Sequence, residues 1–449
     1  MLSIVLGLTA SVLQASIVNL ALPDIGRQLD ASAAQSIWVV NAFQIATLVM
    51  LLPLASFGDR VGYRRVYLSG MVLFTLSSFG AMLANSIESL IVARAIQGLG
   101  AAGVMSVNSA LVRQIYPASR LGRGMAINSM VVASSAVAGP SVAAAILSIA
   151  SWPWLFAVNV PLGVAAGMLG RRFLPGSRPA ALSRERYSAV DVLLNVLMFS
   201  MVFIGAQGLG AGGVGRASSP WFSWGLLAGG VAVGFFYLRR QNRMIVPMFP
   251  VDLLRIPVFA LSMCTSITAF CAQTLAYIAL PFLLLEAYGR SHAEAGLLIT
   301  VWPLGIVAAA PIAGRLVGRY PDGLLGGIGL GIMATGLALL AALPAQPTNA
   351  DIVWRMVLCG AGFGLFQTPN NHTIVTSPPR NRAGAASGML GTARITGQTL
   401  GAMLLALIFA IYDRHNGDAE MAALLLATVF SVAAGVFSTL RVGRGRHDE

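Results

Sequence analysis

Gly58-Asp59-Arg60-Val61-Gly62-Tyr63-Arg64-Arg65 sets three arginines and one aspartate between two apolar runs, Ile37 to Phe57 and Val66 to Leu83. Each run is close to the roughly 20 residues that a helix needs to cross a bilayer. A loop this short needs its glycines to turn the chain, and its aspartate can face the positive end of a neighbouring helix. Such a contact can be made in one conformation and broken in another, so Asp59, Arg60, Gly62 and Arg64 read as a latch. The plainer reading is a turn that holds positive charge on the cytoplasmic side.

The same arrangement recurs outward along the chain. There is no lysine, so all 29 basic residues are arginines. They gather at Arg60 to Arg65, Arg113 to Arg123, Arg171 to Arg186, Arg239 to Arg255, Arg315 and Arg319, Arg380 and Arg382, and Arg441 to Arg446. The alternate gaps hold only Arg27, Arg216, Arg290 and Arg414. Positive charge stays on the cytoplasmic face, so this alternation predicts both the crossings and their direction. Apolar runs fall at 4–22, 37–57, 66–83, 90–112, 125–147, 154–169, 190–209, 221–238, 258–285, 293–313, 323–343, 352–371, 384–411 and 421–440. The expectation is an all-α polytopic membrane protein of about fourteen spans, with both termini cytoplasmic.

The spans divide into a six-helix bundle over 1–174, connectors and two inserted helices over 175–257, and a second six-helix bundle over 258–449. The halves read as degenerate repeats. Gly314-Arg315-Leu316-Val317-Gly318-Arg319 returns the Gly-x-x-Val-Gly frame without the aspartate, and Arg382-Ala383-Gly384-Ala385 answers Arg123-Gly124-Met125-Ala126. Related halves flanking a midplane site are a common plan for secondary transporters.

With 57% hydrophobic and 10% charged residues, and a mean hydropathy of +0.78, the chain is too apolar to cover a soluble surface. The net charge of +13 points to anionic lipid head groups and not to nucleic acid, because the arginines lie at helix ends in topological register. Cys264, Cys271 and Cys359 sit inside apolar runs, which argues against a disulfide framework. No cleavable signal is evident, and the start almost inside the first run leaves room for a cytoplasmic leader ahead of Met1. No metal-ligand cluster, phosphate-binding loop or nucleophile constellation appears, so no metal, cofactor, ATP-driven pump or enzyme is expected.

The loop quoted above resembles the G-x-L-A-D-R-x-G-R-K motif of the major facilitator superfamily, with Ala55 for its first glycine and Tyr63 for its first basic residue after the second glycine. Further matches resemble its fourteen-helix drug:proton antiporter family. They are Ser16-Ile17-Val18-Asn19-Leu20-Ala21-Leu22-Pro23, Arg94-Ala95-Ile96-Gln97-Gly98, Ala138-Gly139-Pro140, and the run from Trp152 through Asn159 and Pro161 to Gly163. The resemblance covers nearly the whole chain. It implies export of drug-like molecules in exchange for protons. One departure bears on that: where members usually carry a helix 1 aspartate thought to bind protons or cationic drugs, this chain has Gln14. An amide does not take up and release a proton near neutral pH.

Arg94 stands out on physical grounds as well. A guanidinium in mid-span costs roughly 2.5–3.5 kcal/mol on insertion scales, so it must face the bundle interior. It either couples protons or substrate beside the path, with Gln97 one turn on, or braces the helices. Arg394, followed by Gln398, reads as its counterpart in the second half. Gly139-Pro140 reads as a hinge or a tight contact. Glu286 is the nearest substitute for the missing acid if partly buried, and otherwise an interfacial charge. Asp191 and Glu294, which open spans, read as surface charges, and His372 as a solvated loop residue. Polar and aromatic residues that could line a pocket include Asn19, Trp38, Asn41, Gln44 and Tyr277. Asn370 and Asn371 join them, at what reads as a proline-broken helix end.

The leading expectation is a monomeric secondary transporter that exports amphipathic small molecules by alternating access, with protons as the coupling ion. A metabolite exporter or facilitator without coupling is the alternative that Gln14 favours. A membrane sensor that keeps the fold without transporting is a third, disfavoured by the lack of an appended soluble domain.

Overall fold

The computed structural model describes residues 1–117, 121–176, 188–211, 220–244, 247–344, 346–379, 382–412 and 417–442. Most of the connector after Arg171, together with Arg120, Arg216, Arg380, Arg414, Arg444 and Arg446, lies outside them. Contacts divide the chain into two units, Met1–Tyr237 and Leu238–Glu449.

In the first unit α1 (Leu2–Ile17) runs on through a 3-10 turn, Val18–Ala21, into α2 (Leu22–Gln28). It is followed by α3 (Ala33–Val61), α4 (Tyr63–Met82), α5 (Ile87–Ile115) and α6 (Leu121–Leu147). The sixth expected span is a short α7 (Pro153–Ala157) continued by α8 (Asn159–Phe173), and the inserted pair is α9 (Ala189–Ala211) and α10 (Pro220–Gln241). The second unit contains the four-residue α11 (Val251–Leu254), α12 (Pro257–Phe282), α13 (His292–Leu316), α14 (Asp322–Ala341), α15 (Asn349–Thr376), α16 (Ala383–Ile411) and α17 (Asp418–Thr439). Every expected span is therefore helical. Eleven helices among the described residues are long and apolar enough to cross a membrane. Three expected spans are outside that group: α4 and α15, whose arginines and polar side chains, such as Arg64, Arg65, Arg355 and Gln367, lower the hydropathy, and α6, of which Ala138–Leu147 counts as a shorter apolar helix. Apolar residues exposed along the helices, Trp221, Phe236, Leu297 and Val429 among them, belong against lipid rather than water.

The units share one packing plan. In the first, α1 packs on α6 and α8, α3 on α5, and α4 on α5 and α8. In the second, α12 packs on α16 and α17, α13 on α15, and α14 on α15 and α17. Substituting helix for helix maps one list onto the other, so the repeat read from two loop motifs extends through the bundle.

Local chemistry repeats too. Capping boxes open α3 (Ser32 with Gln35), α5 (Ser86 with Ser89), α13 (Ser291 with Glu294) and α15 (Thr348 with Asp351), so the same two helices are capped in each unit. Gly62, between α3 and α4, has φ +102°, and Gly318, between α13 and α14, has φ +81°. Both are left-handed values that favour glycine, which is why the Gly-x-x-Val-Gly frame survives where its aspartate does not.

Close helix approaches repeat as well. A Cβ on Gly139 of α6 would run into Ser16 of α1, and one on Gly401 of α16 would meet the main-chain oxygen of Cys271 in α12 at 2.5 Å. Gly139 is thus a tight contact. α6 runs unbroken through Pro140 from Leu121 to Leu147.

Candidate functional site

The loop after α3 is held by short bonds. Gly62 donates its N–H to the Gly58 carbonyl at 2.9 Å, and the Tyr63 hydroxyl donates to Asp59 Oδ1 at 2.5 Å. Burial, and then the bond to Asp59, push the Tyr63 phenol above its ordinary range, so it stays a donor. Asp59 itself is exposed, Arg60 half-buried, and the Arg64 guanidinium donates to the main-chain oxygen of Arg171 at the end of α8. These bonds tie the end of α3 to α4, and α4 to α8.

In the same unit, Arg94 is 1% exposed and its partners among the described residues are neutral groups. Its Nε donates to the Val39 carbonyl at 2.9 Å and its Nη1 to Gln97 Oε1 at 2.6 Å. Gln97 passes the chain to Ser78 at 2.7 Å, and the guanidinium lies 4.3 Å from the centroid of the Phe43 ring. α3, α4 and α5 are thus joined through one buried cation.

Gln14 is fully buried in α1, and Asn159, at the start of α8, donates its side-chain amide to Gln14 Oε1. Gln14 Nε2 and Asn159 Oδ1 then lack partners among the described residues, as do Asn19 Oδ1, Trp38 Nε1 and Gln44 Oε1. Leaving one such buried atom unpaired costs about 1–3 kcal/mol. Asn41, on α3 with Trp38 and Gln44, is fully buried.

In the second unit several expectations require correction. Glu286 is exposed, in a π-helical turn at Leu283–Ala287, so the partial burial that would have suited it to carry protons is not found. α15 continues through Pro369 to Thr376, because the tightly packed bundle holds the helix past its missing bond; Asn370 and Asn371 are not at a helix end. Asn370 is fully buried and engaged, donating to Ser266 Oγ at 2.7 Å and accepting from Arg441 Nη1 at 2.8 Å, while Asn371 is half-buried. His372 is helical and not in a loop, with Nδ1 2.7 Å from Asp322 Oδ2.

Arg394 is half-buried with its guanidinium 5.6 Å from the Phe270 ring centroid, and Gln398 is half-buried one turn on. The packing plan makes α15, not α16, the counterpart of α5, so Arg394 is not the equivalent of Arg94. The nearer analogue is Arg355, in Ile352-Val353-Trp354-Arg355, which echoes Ile91-Val92-Ala93-Arg94. Its Nη1 donates to the Asp351 carbonyl at 2.7 Å. Tyr277 packs edge-on against Trp302, with 5.0 Å between centroids.

Sequence reasoning missed other residues. The Ile-Val-x-Arg echo would have revealed Arg355. Glu420 is 3% exposed in the first turn of α17, and Asp191 only 4% exposed in that of α9, although both stand where surface charges usually do. Neither burial carries a sequence signal, because it comes from neighbouring helices.

Among known proteins, the family model described as Major Facilitator Superfamily matches residues 4–402. The chain is 50% identical to the uncharacterized transporter YebQ of Escherichia coli (strain K12), over 99% of this chain and 95% of that protein. It is 30% identical to the multidrug resistance protein Stp of Mycobacterium tuberculosis (strain CDC 1551 / Oshkosh), over 91% of this chain and 75% of that one. A solved POT family transporter in complex with a thioalcohol-conjugated peptide superposes with a TM-score of 0.72 at 17% identity, covering 98% of this chain and 96% of that one. At that identity the likeness speaks to the fold alone.

Proposed function

The chain belongs to the major facilitator superfamily, and from that premise we propose that it exports amphipathic small molecules from the cytoplasm in exchange for protons. It is a membrane-embedded secondary transporter and not an enzyme. The observation that carries the mechanism is the packing plan shared by its two units. Two bundles of equal build are the parts that alternating access requires. Buried amides on α1 and α3 give polar contacts without fixed charge, which suits uncharged or weakly charged amphiphiles. Similarity to a multidrug resistance protein supports the drug-like substrate class.

In this reading the chain crosses the membrane fourteen times as a monomer with both termini cytoplasmic, α9 and α10 being the added pair. Cysteines placed near Arg178 should label only from the cytoplasm, and those near Arg216 only from outside. Labelling of both from one side would remove the fourteen-span arrangement. The functional test is a resistance screen of an efflux-deficient host expressing the protein, with and without a proton uncoupler. Uncoupler-sensitive resistance to amphiphiles is expected.

Gln14 favours a second reading, a metabolite exporter or facilitator without proton coupling. Flux in proteoliposomes separates them: a facilitator gives flux that ignores an imposed pH gradient. A non-transporting sensor gives none.

A further inference from the structure

Pro53 lies inside α3, and proline has no N–H to offer the carbonyl four residues back, which is that of Val49. Val49 is buried, so water does not substitute. The side-chain amide of Asn195, in the inserted helix α9, donates to this oxygen at 2.8 Å. Asn195 is itself 1% exposed, and its Oδ1 finds no partner among the described residues. An amide this deep in an apolar helix is costly, and the one bond it makes goes to a carbonyl that the proline released.

From this we infer that Asn195 is a positioning residue for the transport cycle: the inserted pair braces α3 at Pro53 through the Asn195–Val49 bond. α9 packs along α3, so the contact is part of a longer seam. The consequence reaches the latch. Pro53 lies six residues before Asp59 on the same helix, so the path α3 takes past Pro53 sets where the loop Gly58 to Arg65 is presented. The inserted helices thus set the geometry of that loop.

The inference rests on the transporter reading for its functional half only, and a double-mutant cycle keeps the halves apart. Asn195→Leu removes the donor at similar size, and Pro53→Ala returns an N–H that can satisfy Val49 from within α3. Melting temperature in detergent, which needs no substrate, is measured for the parent, each single variant and the pair. Asn195→Leu should lower the melting temperature clearly in the parent and hardly at all in the Pro53→Ala background. An equal drop in both backgrounds, or none in the parent, overturns the brace. Asn195→Ala, run alongside, guards against a steric effect of leucine and should show the same dependence on Pro53.

Transport of a fluorescent amphiphile is then read in the same four proteins. Asn195→Leu should cut the maximal rate several-fold with KM little changed, because the bond orients a helix and touches no substrate. A raised KM at unchanged maximal rate goes against positioning. If no version moves any substrate, the transport reading fails while the melting cycle still decides the brace.

Discussion

Asn159 donates its side-chain amide to Gln14 Oε1, so α8 and α1 meet through two neutral amides where the family resemblance leads one to look for an acid. The pair explains how glutamine is accommodated there. It keeps a buried polar group bonded without fixing a charge, and it leaves Gln14 Nε2 without a partner among the described residues.

Restoring the acid should therefore change selectivity more than stability. Gln14→Glu keeps the reach and can still accept from Asn159, while Gln14→Asp introduces the residue common in the family. An ionised carboxylate buried there seeks a positive partner. Both variants should raise resistance to lipophilic cations relative to neutral amphiphiles. An unaltered ratio of inhibitory concentrations would show that Gln14 lies away from the bound solute.

The Gly139–Ser16 contact predicts a steric lesion. Gly139→Val has no room against Ser16, and overpacking a well-packed site costs about 1–3 kcal/mol. Gly401→Val should behave alike in the second unit, against the Cys271 carbonyl. Ser16→Gly should recover part of the Gly139→Val loss, since the clashing atoms belong to the Ser16 side chain, whereas no side-chain deletion at Cys271 should rescue Gly401→Val. Melting temperatures of purified protein check this, and rescue of both by side-chain deletion would contradict the modes of contact.

Much of the fold could be read because bilayers impose long apolar runs and arginine placement marks their ends. The capping boxes were equally readable, as Ser32-x-x-Gln35 or Ser291-x-x-Glu294 already state where helices begin. The site was less so. Which amide faces which depends on helix rotation, so Gln14 could be singled out while its partnership with Asn159 could not. Glu286 and Glu420 look alike in sequence, each bordering an apolar run, and only packing separates the exposed one from the buried one. Arg394 was matched to Arg94 by residue type. Helix order in the repeat points instead to α15 and Arg355.

The latch makes a graded prediction. A helix-terminus contact is worth about 0.3–1 kcal/mol when exposed and up to about 2 when partly buried, enough to change a conformational equilibrium several-fold. Asp59→Asn should lower transport by such a factor while sparing expression and substrate binding. Tyr63→Phe removes only the donor to Asp59 and should have a smaller effect of the same kind. Equal transport by Asp59→Asn and the parent would leave Asp59 as an ordinary loop charge.

Proton coupling is the claim on which the geometry presses hardest. If protons drive export, some group must alternate between protonated and ionised forms as access switches, and Gln14 does not do so. Glu286 is exposed in its π-helical turn, so no neighbouring helix covers it. Glu420 is a buried carboxylate in the first turn of α17, a helix that packs on both α12 and α14, so motion among these helices can alter its access to water. Glu420→Gln should then abolish export driven by a pH gradient yet spare substrate exchange, which needs alternating access without net proton movement. Glu286→Gln should leave both intact. Loss of driven export in Glu286→Gln alone would return the role to Glu286. Should imposed pH gradients fail to alter flux in the parent protein, neither acid is a carrier and the uncoupled facilitator is the correct reading.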